Sequence, residues 1–183
     1  ACVGSVFGGA DAARVLQRAV PMLERELDEQ ILADGCHYER SPMYHLRMLW
    51  LVEMLAEVGT PDVRAAVEGL PERMCAALAC LRHPDGDICQ FNDSAQGIYL
   101  DGWKPPSVPA SGAWDLPSAG YYGWRSSTGD YVVIDAGAVG PDHQPGHAHA
   151  DYFSFELSLD GQRLITDTGI GSYDAGDSRA YDR

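Results

Sequence analysis

Residues 146–159 read Gly-His-Ala-His-Ala-Asp-Tyr-Phe-Ser-Phe-Glu-Leu-Ser-Leu, and the pattern within them sets the architecture of the second half of the chain. Phe153, Phe155, Leu157 and Leu159 alternate with Ser154, Glu156 and Ser158. A two-residue period of this kind is that of a strand with one buried face, so the four apolar side chains are expected to point into the core. Comparable short runs, rich in aromatic and β-branched residues, span Gly120 to Arg125, Tyr131 to Ala136 and Arg163 to Thr166. Turn residues separate them, among them Ser127 to Asp130 and Asp160-Gly161, so the reading here is antiparallel sheet.

Working back toward the N-terminus, the period changes from two to between three and four. Val15, Leu16, Ala19, Leu23, Leu27 and Ile31 form one stripe, with Asp11 as a plausible N-cap and Gly35 as a stop. A second helix is predicted from Met43 to Val58, with Ser41-Pro42 at its mouth and Gly59 behind it, and a third from about Pro61 to Leu81. Pro84, Asp85 and Gly86 then break the helical pattern, and the stretch from Asn92 to Ala119 is rich in Gly, Pro and Ser. The fold class predicted is therefore α+β in two domains: a helical portion at 1–92, a junction at 93–119, and the beginning of an antiparallel sheet domain at 120–183.

Composition excludes some functions. With 45% apolar and 22% charged residues the 183-residue chain is globular rather than disordered. A formal net charge of -14 argues against nucleic acid or a basic membrane-surface role, both of which require Lys and Arg to meet phosphate. The same charge sits awkwardly with a polyanionic ligand, although an acidic shell can surround a locally basic cleft. Five cysteines without a CxxC pair indicate neither a disulfide framework nor a cysteine zinc site, and small buried residues are expected. No apolar run reaches the ~18 residues of a membrane span. The chain starts at Ala1 without an initiator Met and stops at Arg183 just after a strand-and-turn pattern, so it is expected to be an internal piece of a longer protein.

Two stretches concentrate chemistry. In an extended chain His147, His149 and Asp151 would project to one face, just ahead of the alternating strand. Two imidazoles and a carboxylate suit zinc, and imidazole also suits proton transfer near neutral pH. Asp167, on the next strand, could return beside them across an antiparallel pair. The plain alternative is a polar turn lined by His and Asp. The second stretch, Asp34 to His45, fills a helix-to-helix loop and a first helical turn with His37, Glu39, Arg40, Tyr44 and His45. Packing and buried hydrogen bonding would equally account for Tyr44, His37 and His45.

Three strings, Asp-Gly-Cys-His-Tyr-Glu-Arg-Ser-Pro-Met-Tyr-His (34–45), Pro-Gly-His-Ala-His-Ala-Asp (145–151) and Asp-Gly-Gln-Arg-Leu-Ile-Thr-Asp-Thr-Gly (160–169), occur in this order and resemble the heparinase II/III-like family of polysaccharide lyases. The resemblance implies a fragment spanning the junction of an incomplete (α/α) toroid and an antiparallel β-sandwich. It implies β-elimination on an acidic, uronic-acid polysaccharide, heparan sulfate-like or alginate-like, in the periplasm or outside the cell. Tyr44 matches the family's Brønsted tyrosine, and His147 the active-site histidine of the sheet domain. His149 and Asp167 match two ligands of a structural zinc, whose third ligand is expected beyond Arg183. An upstream Asn or His that helps neutralise the substrate carboxylate is expected before Ala1.

Elimination removes the C5 proton of a uronate, so tyrosine chemistry near neutral pH needs help from adjacent positive charge or hydrogen bonds. Arg40 and His147 are candidates for that help, and Glu39 for orienting Tyr44 or Arg40. Trp103, Trp114 and Trp124 could stack on sugar rings, with packing around the domain junction as the simpler role. Two other functions compete: a zinc-dependent hydrolase using the His-x-His string to activate water, and a carbohydrate-binding protein without turnover.

Overall fold

A computed structural model describes residues 1–97, 110–143 and 145–169 of the chain. Trp103, residues 98–109 of the expected junction and residues 170–183 of the expected sheet domain lie outside the described residues.

The N-terminal half is helical: α1 (Cys2–Val6), α2 (Ala10–Gln30), α3 (Pro42–Val58), α4 (Pro61–Ala66) and α5 (Leu70–Cys80). The expected N-cap Asp11 instead lies in the first turn of α2, behind Gly9, where a carboxylate still favours the positive end of the helix dipole. The helix ends before Gly35 because the chain turns sharply there. Ile31 and His37 form an antiparallel bridge, and the Tyr38 amide donates to Gln30 O at 2.8 Å. Gly35, at φ +89°, passes so close to α5 that a Cβ would meet Arg73 O at 2.6 Å. α3 opens as its sequence indicates, with Pro42 in the first turn and the Ser41 hydroxyl accepting from the Tyr44 amide at 3.3 Å. The third predicted helix is divided in two: α4 ends at Ala66, capped by Val67, and α5 starts behind Gly69, whose backbone is left-handed (φ +72°).

Leu27, Leu46, Leu49, Val52, Leu55, Val63, Met74 and Leu78 interlock α2 to α5. A second core joins layers: Ala77 and Leu81 from the helical side, and Cys89 and Phe91 after it, pack against Leu116, Tyr121, Tyr131 and Val133 of the sheet. All five cysteines are free, and Cys36 and Cys89 are fully buried.

Among the described residues the sheet is a meander of five antiparallel strands in chain order: β1 (Gly112–Leu116), β2 (Tyr121–Arg125), β3 (Tyr131–Asp135), β4 (Phe155–Leu159) and β5 (Gln162–Ile165). β1 falls within the stretch read as junction. Its short Gly-Ala-Trp-Asp-Leu run lacks β-branched residues, and only pairing with β2, Trp114 opposite Gly123, makes it a strand.

The face of β4 is the reverse of the expectation. Glu156 and Ser158 are fully buried, whereas Phe155 and Leu159 are 45% and 43% exposed. The reason lies in the partner. The helical layer presents His83 to β4, with Nδ1 2.7 Å from Ser158 Oγ and Nε2 2.6 Å from Glu156 Oε2, so the polar face meets complementary polar groups. Register carries the inversion across the sheet: Tyr122 with Ile134 and Phe155, and Trp124 with Val132 and Leu157, make an apolar face turned away from the helices. Trp124 therefore lies on this outer face, not in the junction, while Trp114 packs at the junction against Tyr131.

Candidate active site

The site is built where the loop before α3 meets the turn before β4. Tyr44, in the first turn of α3, and His147, in a 3-10 turn at Pro145–His147, stack with ring centroids 4.0 Å apart and planes 17° apart. Glu39 reaches the same histidine, its Oε2 hydrogen-bonded to His147 Nδ1. Since a carboxylate only accepts, Nδ1 carries the hydrogen and Nε2 is left as the nitrogen able to exchange a proton. The Tyr44 hydroxyl donates toward Asp93 Oδ2 at 3.5 Å.

The phenol of Tyr44 is pushed above its ordinary value, first by partial burial and then by the negative charges of Asp93 and Glu39, with Arg47 acting in the opposite sense. Tyr44 is thus a neutral hydroxyl near pH 7 in the resting site. Arg40, expected to assist Tyr44, is used differently. Its backbone carbonyl accepts from Tyr121 Oη at 2.6 Å, and its charge acts on Asp135. Glu39 orients His147 by hydrogen bond rather than Tyr44 or Arg40. Arg47, one helical turn beyond Tyr44, is the cation acting on the phenol.

A concavity of about 340 Å³ opens beside Tyr44, lined by Gln30, His37, Glu39, Arg47, Met48 and Trp50 among others. His45 behind it is structural, whereas His37 lines the concavity and neither of its ring nitrogens has a hydrogen-bond partner among the described residues. His45 accepts the His37 amide at Nδ1 (3.0 Å) and donates from Nε2 to Met74 O (2.9 Å), which fixes one neutral tautomer. Burial lowers its pKa to about 4, and that of His37 to about 3.

The His-x-His-x-Asp string does not converge on one face. Because 145–147 is a 3-10 turn and β4 starts only at Phe155, His147 points to Tyr44 while His149 and Asp151 point elsewhere, joining Asp167. The ligand atoms of His149, Asp151 and Asp167 lie within 4.8 Å of one another, an imidazole with two carboxylates, and thus a donor set that could hold a metal ion. Burial raises the pKa of both carboxyls, and Asp167 also adds its charge to Asp151, a cost that a bound cation would relieve. A second group, His83, Cys89 and Glu156, has comparable spacing, but both ring nitrogens of His83 are already hydrogen-bonded.

Four of these residues escaped the sequence reading. Asn92 and Asp93 sit in the Gly/Pro/Ser-rich stretch, where nothing local marks them. Arg47 had a signal, since position three beyond Tyr44 on one helix falls near its face, whereas Trp50, at position six, had none.

The sequence matches the description "Heparinase II/III N-terminus" over residues 2–99 and "Heparinase II/III-like, C-terminal" over residues 108–183. Among curated proteins, it is 25% identical to heparin-sulfate lyase from Pedobacter heparinus over 89% of this chain and 29% of that protein. It is 27% identical to FtsZ-localized protein C from Caulobacter vibrioides, over 94% of this chain and 31% of that protein. The chain therefore spans about a third of the length of these relatives. Its fold is similar to the crystal structure of heparan sulfate lyase HepC from Pedobacter heparinus, with a TM-score of 0.77 at 22% identity over 98% of this chain and 33% of that one. Helices leading into an antiparallel sheet, with the three sequence strings gathered at their junction, agree with these matches: the chain belongs to the heparinase II/III family.

Proposed function

We propose that this chain carries the proton-transfer centre of a polysaccharide lyase that cleaves a uronic-acid polysaccharide by β-elimination. The observation that supports this most directly is the stacking of Tyr44 on His147, with Glu39 on the far nitrogen of the imidazole. Two groups able to exchange protons meet from separate layers of the fold, Tyr44 on the wall of the concavity and His147 stacked against it.

Roles follow from protonation. His147 Nε2 takes the C5 proton of the uronate. The C5–H electron pair becomes the C4–C5 double bond, and the C4–O bond breaks with its pair on the glycosidic oxygen. Tyr44, held neutral, gives its hydroxyl proton to that oxygen. The resulting imidazolium and phenolate are adjacent and re-equilibrate. Elimination also requires the uronate carboxylate to be neutralised as charge develops, and Arg47 on the concavity wall supplies positive charge there. Trp50, on the same wall, offers an aromatic face to a sugar ring.

The substrate class follows the lyases to which the chain is similar, which act on heparin or heparan sulfate. A periplasmic or secreted location suits such a substrate. Among the described residues no helix is long and apolar enough to cross a membrane. His149, Asp151 and Asp167 would hold zinc, with Asp151 contributing beside the two ligands that the family resemblance implies. When bound, the ion ties the turn carrying His147 to the end of β5; its role is structural.

The test is turnover by the full-length protein on heparan sulfate, heparin, chondroitin sulfate, hyaluronan and alginate, followed by near-ultraviolet absorbance of the unsaturated product. A rise on heparan sulfate, reduced at least about 10²-fold by Tyr44→Phe, supports the reading. No rise on any polymer, with reducing ends still released and lost on metal removal, would replace it with a zinc hydrolase.

A further inference from the structure

Asn92 lies between α5 and β1, is 4% exposed, and belongs to none of the strings that carry Tyr44, His147 or the metal-binding group. All of its polar atoms are engaged. Nδ2 donates to Arg40 O and to Tyr121 Oη, both at 3.2 Å. Oδ1 accepts the His149 amide at 3.0 Å, and the Asn92 backbone N–H donates to Asp151 Oδ2. Its carbonyl accepts from Ser94 N at 2.8 Å. The next residue continues the pattern: Asp93 N–H donates to His147 O at 3.0 Å, and Asp93 O accepts from the hydroxyl of Ser41, the N-cap of α3, at 2.8 Å.

This pair of residues thus touches both sides of the site. Toward the helical layer it grips the loop that ends in Tyr44; toward the sheet it grips the turn running from His147 to Asp151. The backbone of Asn92 is left-handed, φ +57°, a conformation that Asn tolerates better than most residues. The Glu39–His147 hydrogen bond and the Tyr44–His147 stack join loop and turn at the site itself, and a buried carboxamide with donors on one end and an acceptor on the other adds a second tie behind them that also reaches the sheet.

We propose that Asn92 is a positioning residue that holds the Tyr44 loop and the metal-binding turn in register, through its Nδ2 for the former and its Oδ1 and backbone N–H for the latter. The effect on turnover rests on the lyase reading; the effect on metal binding does not.

The experiment uses the full-length protein, with Asn92→Gly and Asn92→Asp. Glycine keeps the left-handed backbone and removes the carboxamide. Aspartate keeps an acceptor for the His149 amide and loses both Nδ2 bonds. Zinc is titrated calorimetrically into chelator-treated protein, kcat and KM are measured on heparan sulfate, and thermal unfolding is followed alongside. Asn92→Gly is expected to unfold cooperatively, to bind zinc roughly 10- to 100-fold more weakly and to lose kcat by a similar factor, with KM changed less than about threefold. Asn92→Asp is expected to lose kcat while keeping zinc affinity within about threefold of wild type. A cooperatively folded Asn92→Gly with kcat and zinc affinity both within about twofold of wild type overturns the proposal. So does loss of cooperative unfolding in both variants, which would make Asn92 a folding determinant. If wild type eliminates no polymer but Asn92→Gly still weakens zinc, the functional reading fails and the positioning role stands.

Discussion

Tyr44 and His147 lie ring against ring, 4.0 Å between centroids, with Glu39 bonded to the edge of the imidazole that faces away from proton exchange. The carboxylate fixes both the tautomer and the ring orientation of His147. Glu39→Gln removes the charge and can present an amide donor where an acceptor is needed. We expect kcat on heparan sulfate to fall at least about tenfold with KM little affected, because the loss falls on proton transfer rather than binding. An unchanged kcat would mean that Glu39 serves only the loop.

Opposing charges around Tyr44 give a signed prediction. Asp93 raises the phenol pKa and Arg47 lowers it. If Tyr44 is the acid, turnover is lost on the alkaline side as the phenol ionises. Asp93→Asn should move that limb to lower pH, and Arg47→Ala should move it higher. Both limbs are read from kcat against pH. Movement in one direction for both variants would remove Tyr44 from the alkaline limb.

Acid stability should be set by buried histidines. His37 and His45 titrate in the folded state at about 3 and about 4, below the ordinary value of 6.5, so the unfolded chain binds more protons and stability falls as pH drops below 6.5. Asp135 opposes them. Burial raises its carboxyl to about 6, so its contribution improves as pH falls from 6 toward 3.8. The histidine shifts together are larger, His45 alone amounting to on the order of 3 kcal/mol. Urea unfolding should therefore show lower stability at pH 4.5 than at pH 7. Equal stability at both would place His45 in a charged state in the fold.

The His83–Glu156 pair is fully buried, and Glu156 also accepts the Gln90 amide at 2.7 Å. His83→Leu leaves the carboxylate without its imidazole donor, and we expect a loss of about 3–5 kcal/mol in chemical denaturation. Pairing the change with Glu156→Leu should recover part of that loss, since the buried carboxylate that lost its imidazole is removed as well, although Arg163 and the Gln90 and Asp167 amides then lose it as a partner.

Metal should act on stability before rate. Chelation is expected to lower the unfolding free energy by ~2.7 kcal/mol relative to protein held in zinc at a hundred times its Kd, and Asp167→Asn should abolish most of that difference. A thermal midpoint indifferent to chelator would remove zinc from His149, Asp151 and Asp167.

Period and punctuation made the helices and most strands legible, because α3 carries its own cap at Ser41 and its own stop at Gly59. Gly69 was legible in principle, but a single glycine inside a helical pattern does not announce a left-handed backbone. The facing of β4 was not legible. Alternation reports two unlike faces, and which one turns inward depends on what the neighbouring layer offers, here the imidazole of His83. The meeting of Tyr44, His147 and Glu39 came within reach only through the family resemblance of the strings around them. Asn92 and Asp93 lay hidden because their role is made wholly of contacts with residues distant in sequence.

The helical layer supplies Tyr44 and Glu39, the sheet layer supplies His147, and neither carries the pair alone. On the lyase reading, proton transfer is consequently a property of a seam. A partial separation of the two layers, with every helix and strand still intact, would silence the chemistry, so turnover would report on docking well before any spectroscopic sign of melting.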